Sequence, residues 1–292
     1  MPVTVGVVIP VHNRQIEAGL ALGSVLAQSR APDQIVIVDD ASLVPFRVGD
    51  AQQHHSIQVV RLERNGGPAA ARQIGIELLK TSHVAFLDSD DVWTADKLAH
   101  QIDRLERIGA PDSTAIATGW SYVDAFDKSG PLIVPVESDR LSDFVSGCWF
   151  CPGSTVVMSR AAFFRAGGFD LALRRLEDLD LFIRHAKVGG RLDVVPMKGA
   201  SIRRGRNGRR AEVDRAAAVL RQKYVCHGTN SLTPQLQRRL DAWLAIEEAI
   251  AARNDGHWCW MVQRLFTSLV LVPRLGIQLA SWRKPVERLK CD

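Results

Sequence analysis

Three polar segments in the first hundred residues each end an apolar run, and their side chains are those of metal and nucleotide chemistry. They are Pro10-Val11-His12-Asn13-Arg14, Asp39-Asp40-Ala41-Ser42 and Asp88-Ser89-Asp90-Asp91. Carboxylates this close repel one another, so a cation is expected among them. Their hard oxygens suit Mg2+ or Mn2+, with phosphate oxygens completing the shell. A lone Asp-x-Asp at a strand exit is more often a polar cap on the next helix. The other polar strand ends tilt Asp88-Ser89-Asp90-Asp91 towards a metal site. Asp39-Asp40 reads evenly two ways: as an acceptor for the ring N–H of uracil or guanine, or as turn chemistry in Asp-Asp-x-Ser.

Two further segments supply what such a site lacks. Arg64-Asn65-Gly66-Gly67-Pro68-Ala69-Ala70-Ala71-Arg72 is a glycine turn feeding a helix, where backbone can approach a ligand and the helix start favours anions. Arg72 falls about one turn in. Glu177-Asp178 and Asp180 open a later helix, after Gly167-Gly168-Phe169-Asp170. Acidic residues at a helix start ordinarily complement its dipole. Beside a metal site, the same pair offers a general base.

The elements that must position these residues follow from periodicity. Val3–Pro10, Gln34–Val38, Ile57–Leu62 and His83–Leu87 are apolar runs of buried-strand type. Helical spacing marks Ile16, Leu20, Gly23 and Ala27, then Pro68–Leu79, then Leu98, Ile102 and Leu105. This alternation predicts a mostly parallel, Rossmann-like sheet flanked by helices, with ligands at the carboxyl ends of its strands. After Pro111 the pattern changes. Short strands near 114–124, 131–136 and 153–158 predict a mixed-sheet extension, followed by a helix at Leu179–Val188 and a strand at Arg191–Val195. From Arg210 the chain reads as helical. The expected division is a first half at 1–110, a second half at 111–205 and a helical extension at 206–292.

Composition narrows the classes. The 292 residues are 46% hydrophobic with a net charge of +5, enough for a sizeable core and a mild preference for anionic partners. No nucleic-acid-binding motif is present, and no nucleic-acid partner is expected. The five cysteines form no disulfide framework, which points to a reducing compartment. Cys148-Trp149-Phe150-Cys151 has Cys-x-x-Cys spacing but no companion ligands, and reads as a packed, reduced pair. The start of the chain lacks the pattern of a signal peptide. A cytoplasmic protein is expected, peripheral at the inner face of a membrane if its C-terminal region docks there. That region carries Trp258, Met261, Val262, Leu265 and Leu269 at helical spacing, with Arg274, Arg283, Lys284, Arg288 and Lys290 after them. It suits an anionic membrane surface, the catalytic domain or a second subunit.

Taken in order, the segments resemble the family 2 glycosyltransferases, from about Val3 to Arg204. The resemblance implies a glycosyltransferase A fold and an inverting transfer from a nucleoside-diphosphate sugar, UDP-linked by the family's leaning, to a glycan or lipid-linked hydroxyl. By that likeness Pro10, His12, Asn13, Asp39, Asp40, Asn65, Arg72, Asp88 and Ser89 serve the nucleotide sugar. Asp90 is the principal ligand of Mn2+ or Mg2+, with Asp88 beside it and Asp91 as an adjacent candidate. Asp178 is the base, next to Glu177. The loop that often supplies a histidine has none here. Instead Arg203, Arg204 and Arg206 are candidates to hold the diphosphate. Two rival readings are a haloacid-dehalogenase-type phosphatase with Asp88 as nucleophile, and a non-catalytic nucleotide- or glycan-binding module.

Overall fold

A computed structural model of the protein describes residues 2–49, 56–124, 128–148, 153–203, 210–225 and 231–273. The chain begins with β1 (Val5–Val11), α1 (Gln15–Leu26), β2 (Gln34–Asp39), β3 (Ile57–Arg61), α2 (Pro68–Leu78) and β4 (His83–Phe86). It continues through β5 (Val92–Trp93), α3 (Lys97–Arg107), β6 (Thr114–Val123), α4 (Leu141–Phe144) and β7 (Val156–Ser159). Then come α5 (Arg160–Arg165), α6 (Glu177–Lys187), β8 (Arg191–Arg203), α7 (Arg210–Tyr224), α8 (Pro234–Asn254) and α9 (Trp258–Leu271).

All eight strands form one sheet in the order β3-β2-β1-β4-β7-β6-β8-β5. The first four are mutually parallel, as the apolar runs predict. Beyond them the sheet is mixed, as the change of pattern after Pro111 predicts, with β6 and β8 parallel to each other. β7 runs antiparallel to both β4 and β6, and β5 runs antiparallel to β8. Parallel neighbours need a crossover that packs across the sheet. The described chain between β6 and β7 holds only the four-residue α4 and a three-residue 3-10 turn at Gly153–Thr155, neither long enough for such a crossover. The expected strand at 131–136 is reduced to an isolated bridge at Ile133. Pro131 and Pro135 lack the N–H groups that a ladder requires. β8 is longer than expected and follows β6 with register shifts on either side of Gly119.

The alternation of β1 assigns the two faces of the sheet. Val5, Val7, Ile9 and Val11 pack with Ala18, Leu22 and Val25 of α1 and with Leu98, Ile102 and Leu105 of α3. Val8 faces the other side, with Ala69, Ala71 and Ile76 of α2, Phe163 of α5 and Phe182 of α6. Close packing of α2 there depends on Gly75, where a Cβ would lie 2.4 Å from Val8 Cγ1. On the α1/α3 face, Lys97 is fully buried. Its Nζ donates to Gln101 Oε1 at 2.7 Å and lies 4.0 Å from the centre of a Trp93 ring. A third core joins α6 to α7 and α8 through Ile183, Leu220, Tyr224 and Trp243. Among the described residues no helix is long and apolar enough to cross a membrane.

Candidate active site

The site begins with the loops after β1 and β2, which are tied together by a directed chain of hydrogen bonds. Asn13 has φ 55°, in the left-handed region that Asn tolerates best after Gly. Its backbone N–H donates to Ser42 Oγ at 2.9 Å, and its Oδ1 accepts from Leu43 N at 2.7 Å. That fixes the amide, so Nδ2 donates to His12 Nε2 at 2.9 Å. His12 Nδ1 lies 2.7 Å from the carbonyl of Asp40. A carbonyl only accepts, so the ring carries its proton on Nδ1. The exposed His12 and Asn13 are therefore held in one orientation at the mouth of the site.

Asp39 and Asp40 are both buried, and both carboxylates are engaged by backbone N–H groups. Asp39 accepts from Ser42 N and Phe46 N, each at 2.9 Å. Burial alone would raise its carboxyl, but the Ser42 side chain, these backbone bonds and the charge of Arg61 together outweigh burial and hold it below the ordinary range. Asp40 accepts from Gly66 N at 2.7 Å and Gly67 N at 2.8 Å, one on each oxygen. Gly67 sits at φ 85°, a conformation that suits glycine. Asp40 thereby fixes the turn that launches α2, with Pro68 in its first turn.

Arg72, one turn along α2, joins the two halves of the site. It is buried between two carboxylates. Its Nη2 donates to Asp88 Oδ1 at 2.5 Å and its Nη1 to Glu177 Oε1 at 2.8 Å. Its guanidinium carbon lies 5.9 Å from the ring centre of Phe169, in the Gly-Gly-Phe-Asp segment. Burial disfavours its charge, but Asp88, Asp178 and Glu177 more than compensate and hold it well above the usual arginine value. Asp178 is half-buried beside Glu177 at the start of α6. A Cβ on Gly153 would lie 3.5 Å from its Oδ2. Leu176, at φ 61°, turns the chain into this helix. Asp180 faces away into the α6–α7 contact, where it takes Arg184, Lys223 and the Tyr224 hydroxyl.

The three aspartates after β4 have different surroundings. Asp88 and Asp90 are partly exposed, and each gives one oxygen to an arginine: Asp88 to Arg72, and Asp90 Oδ2 to Arg14 at 2.6 Å. Asp90 is pushed up by burial; Arg14 opposes that and Asp88 adds to it. Asp91 is buried. It accepts from Ser154 Oγ at 2.5 Å and from the backbone N–H of Arg203 at 3.0 Å. Burial, then the charge on Asp88, push its carboxyl well above the ordinary value. Ser154 also accepts from Asp88 N at 3.0 Å, and its carbonyl accepts from the Trp93 indole at 2.7 Å. Buried Ser89 lies between the outer pair, and Pro10 lies half-buried near the end of β1. Exposed Asn65 donates weakly to the Asp40 carbonyl at 3.4 Å. Arg204 and Arg206 lie outside the described residues, and the side chain of Arg203 is exposed.

Among the described residues no three His, Cys, Asp or Glu side chains converge as a ready metal cage. Asp88 and Asp90 nevertheless fit a divalent cation in their chemistry. Both are hard, partly exposed carboxylates, and each has only one oxygen committed to an arginine. Two carboxylates plus ligand phosphates are a usual magnesium arrangement. Arg14 and Ser154 were not among the residues singled out from the sequence. Arg14 closes the polar segment after β1 but had no role assigned within it, whereas Ser154 had no signal at all.

Comparison with known proteins gives this geometry its context. The model of the family described as "Glycosyl transferase family 2" matches residues 6–165, more than half of the chain. The chain is 32% identical over 201 residues to the amylovoran biosynthesis glycosyltransferase AmsB of Erwinia amylovora, covering 64% of this chain and 65% of that protein. It is 31% identical to the pre-mycofactocin glycosyltransferase of Mycobacterium tuberculosis, over 66% of this chain and 41% of that protein. Those matches span under two thirds of either relative's length. The succinoglycan biosynthesis protein ExoW of Rhizobium meliloti is 29% identical over 82% of this chain and 76% of its own. The S. aureus TarS 1-349 structure in complex with UDP shares the fold, with a TM-score of 0.60 at 16% identity over 94% of this chain and 82% of that one. An Asp88-nucleophile phosphatase has no place in this lineage: the chain belongs to glycosyltransferase family 2.

Proposed function

We propose that the protein is an inverting, metal-dependent glycosyltransferase of the glycosyltransferase A fold. It would move a sugar from a nucleoside diphosphate, UDP by preference, to a hydroxyl of a glycan or lipid-linked acceptor. The observation that carries this reading is Arg72. One buried guanidinium binds Asp88 on the side of the proposed metal and Glu177 on the side of the proposed base. A donor site and a base must be held at fixed separation for in-line attack, and much of the rate comes from that alignment.

In this reading His12 and Asn13, with Pro10 behind them, meet the nucleotide. Asp39 and Asp40 shape its pocket by fixing the loops, and Asn65 and Ser89 line the approach. Asp88 and Asp90 would hold Mn2+ or Mg2+, with Asp91 anchoring the motif from behind. The bound metal would offset the charge growing on the departing diphosphate. Arg203, Arg204 and Arg206 would offer positive charge to the diphosphate. Asp178 takes the proton from the acceptor hydroxyl as its oxygen attacks the anomeric carbon. The names of two relatives, which refer to amylovoran and succinoglycan biosynthesis, support a polysaccharide acceptor. TarS structures with UDP and with UDP-GlcNAc support a uridine donor.

The test is a thermal-shift panel of nucleotide sugars with Mn2+, followed by nucleotide-release assays. Asp178→Asn should lower transfer by about 10²–10⁴-fold, the usual worth of a general base, while the donor-induced shift persists. Near-normal transfer by Asp178→Asn overturns the base assignment. Donor binding without transfer by the unaltered chain, with candidate acceptors supplied, would instead favour the binding-module reading.

A further inference from the structure

Helix α9 presents one apolar face to the surroundings. Trp258, Val262, Leu265, Phe266, Leu269 and Val270 are between 41% and 67% exposed. At 100° per residue they fall within an arc of about 140°. The opposite side of the helix is committed to the protein. Buried Ser268 donates to the Ala242 carbonyl of α8 at 2.6 Å, and Arg264 pairs with Glu248 of α8. Trp260 lies between Arg210 and Arg264, whose guanidinium carbons are 4.5 Å and 4.2 Å from a ring centre. The helix is thus fixed by one face, and its apolar face is turned outward.

We propose that this face docks on an anionic lipid surface, with α9 lying in the plane of the interface. Length excludes spanning: 14 residues reach only about 21 Å, short of a hydrocarbon core of about 30 Å. Charge selects the partner. α9 contains no acidic residue. The sequence after it carries Arg274, Arg283, Lys284, Arg288 and Lys290 against Glu287 and Asp292. An apolar face with tryptophan and adjoining basic residues matches an anionic bilayer, where side-chain burial and head-group attraction act together. A second copy of the chain suits it less well, because it carries the same net charge of +5 and so lacks the charge complementarity of an anionic bilayer. The inference is independent of the catalytic reading, because it is tested by binding rather than by transfer.

The experiment is flotation of the full chain with phosphatidylglycerol-containing vesicles, with pure phosphatidylcholine vesicles in parallel. Binding should be strong with phosphatidylglycerol, and should fall by about tenfold or more when salt is raised or when Arg283→Glu and Lys284→Glu are combined. The pair Val262→Asp and Phe266→Asp should abolish it. Both side chains are exposed, so the circular dichroism and melting of that variant should match the parent. Failure to float on anionic vesicles at low salt overturns the proposal. So does equal binding to both vesicle types, and so does a dimer in light scattering that the Val262/Phe266 variant dissolves in place of any vesicle binding.

Discussion

Replacing Arg72 by methionine keeps most of the side-chain volume and removes the one charge that joins Asp88 to Glu177. Arg72 is 6% exposed and Glu177 10%, whereas Asp88 is 32% exposed. The Glu177 contact should therefore dominate, with solvent screening discounting the Asp88 share. Removing one partner of a buried pair costs about 3–5 kcal/mol, because the other charge is left uncompensated. At about 2–4 °C per kcal/mol for a large domain, the apparent melting temperature should fall by roughly 10 °C near pH 7.5. The pH dependence identifies the cause. In the parent, the arginine value is raised, so its contribution is fully present below the ordinary arginine pKa and is lost only as pH rises through the folded value. It is thus constant between pH 5 and 9. The gap between Arg72→Met and the parent should therefore hold steady across that window. Adding Glu177→Gln should restore about half of the loss. Circular dichroism melts at several pH values suffice. A fall under about 2 °C, or a gap that widens in acid, would refute the idea that Arg72 is an electrostatic link.

Two further contrasts follow from burial. Asp91 is charged at a cost, because its folded pKa is raised: the favourable contribution exists below the ordinary value of 3.8 and is lost as pH rises through the folded value. Asp91→Asn should therefore melt at or above the parent at pH 7.5 and keep transfer within about tenfold, while Asp90→Asn loses about 10²–10³-fold, as for other electrostatic stabilisers. Equal losses in a nucleotide-release assay would contradict the separation of roles. Lys97 has a folded pKa well below its ordinary value through burial, so its penalty is complete below the folded value and fades as pH rises to 10.5. Lys97→Met should raise stability by about 1 kcal/mol at pH 7, and the gain should shrink towards pH 10.5. Denaturant titrations at both pH values check it, and a destabilised Met variant would show that the Gln101 and Trp93 contacts outweigh the burial cost.

The parallel half of the sheet was legible because β1, β2 and β4 are buried on both faces, which writes each as an unbroken apolar run. The polar exits of those strands were legible for the same reason, as abrupt ends to apolar text. The antiparallel entry of β7 was not. Val156–Ser159 reads as a buried strand in either direction, and only its neighbours decide its sense. The region 131–136 misled because Leu132, Ile133 and Val134 outvoted the two prolines around them. In the site, sequence pattern located the acidic segments but did not distinguish the surroundings of their members. Asp90 and Asp91 are adjacent and chemically identical, and their difference arises from Arg14 on one side and Ser154 with Arg203 on the other. Lys97 gave no signal of burial, since at the start of α3 it resembles any surface lysine.

The partners of Asp91 also bear on the order of assembly. They lie 63 and 112 residues further along the chain, and the Glu177 partner of Arg72 lies 105 residues beyond it. A ribosome delivers the acidic motif long before it delivers the groups that hold it. Contacts of such separation carry a loop-closure cost and form late. A nascent chain of about 150 residues would hold the whole of Asp88-Ser89-Asp90-Asp91 as text, yet Asp91 would lack both Ser154 and the backbone of Arg203. Completion of the motif thus serves as a marker that the C-terminal half has docked, and fragments ending before Ser154 should be poor substitutes for the whole chain in any work on nucleotide binding.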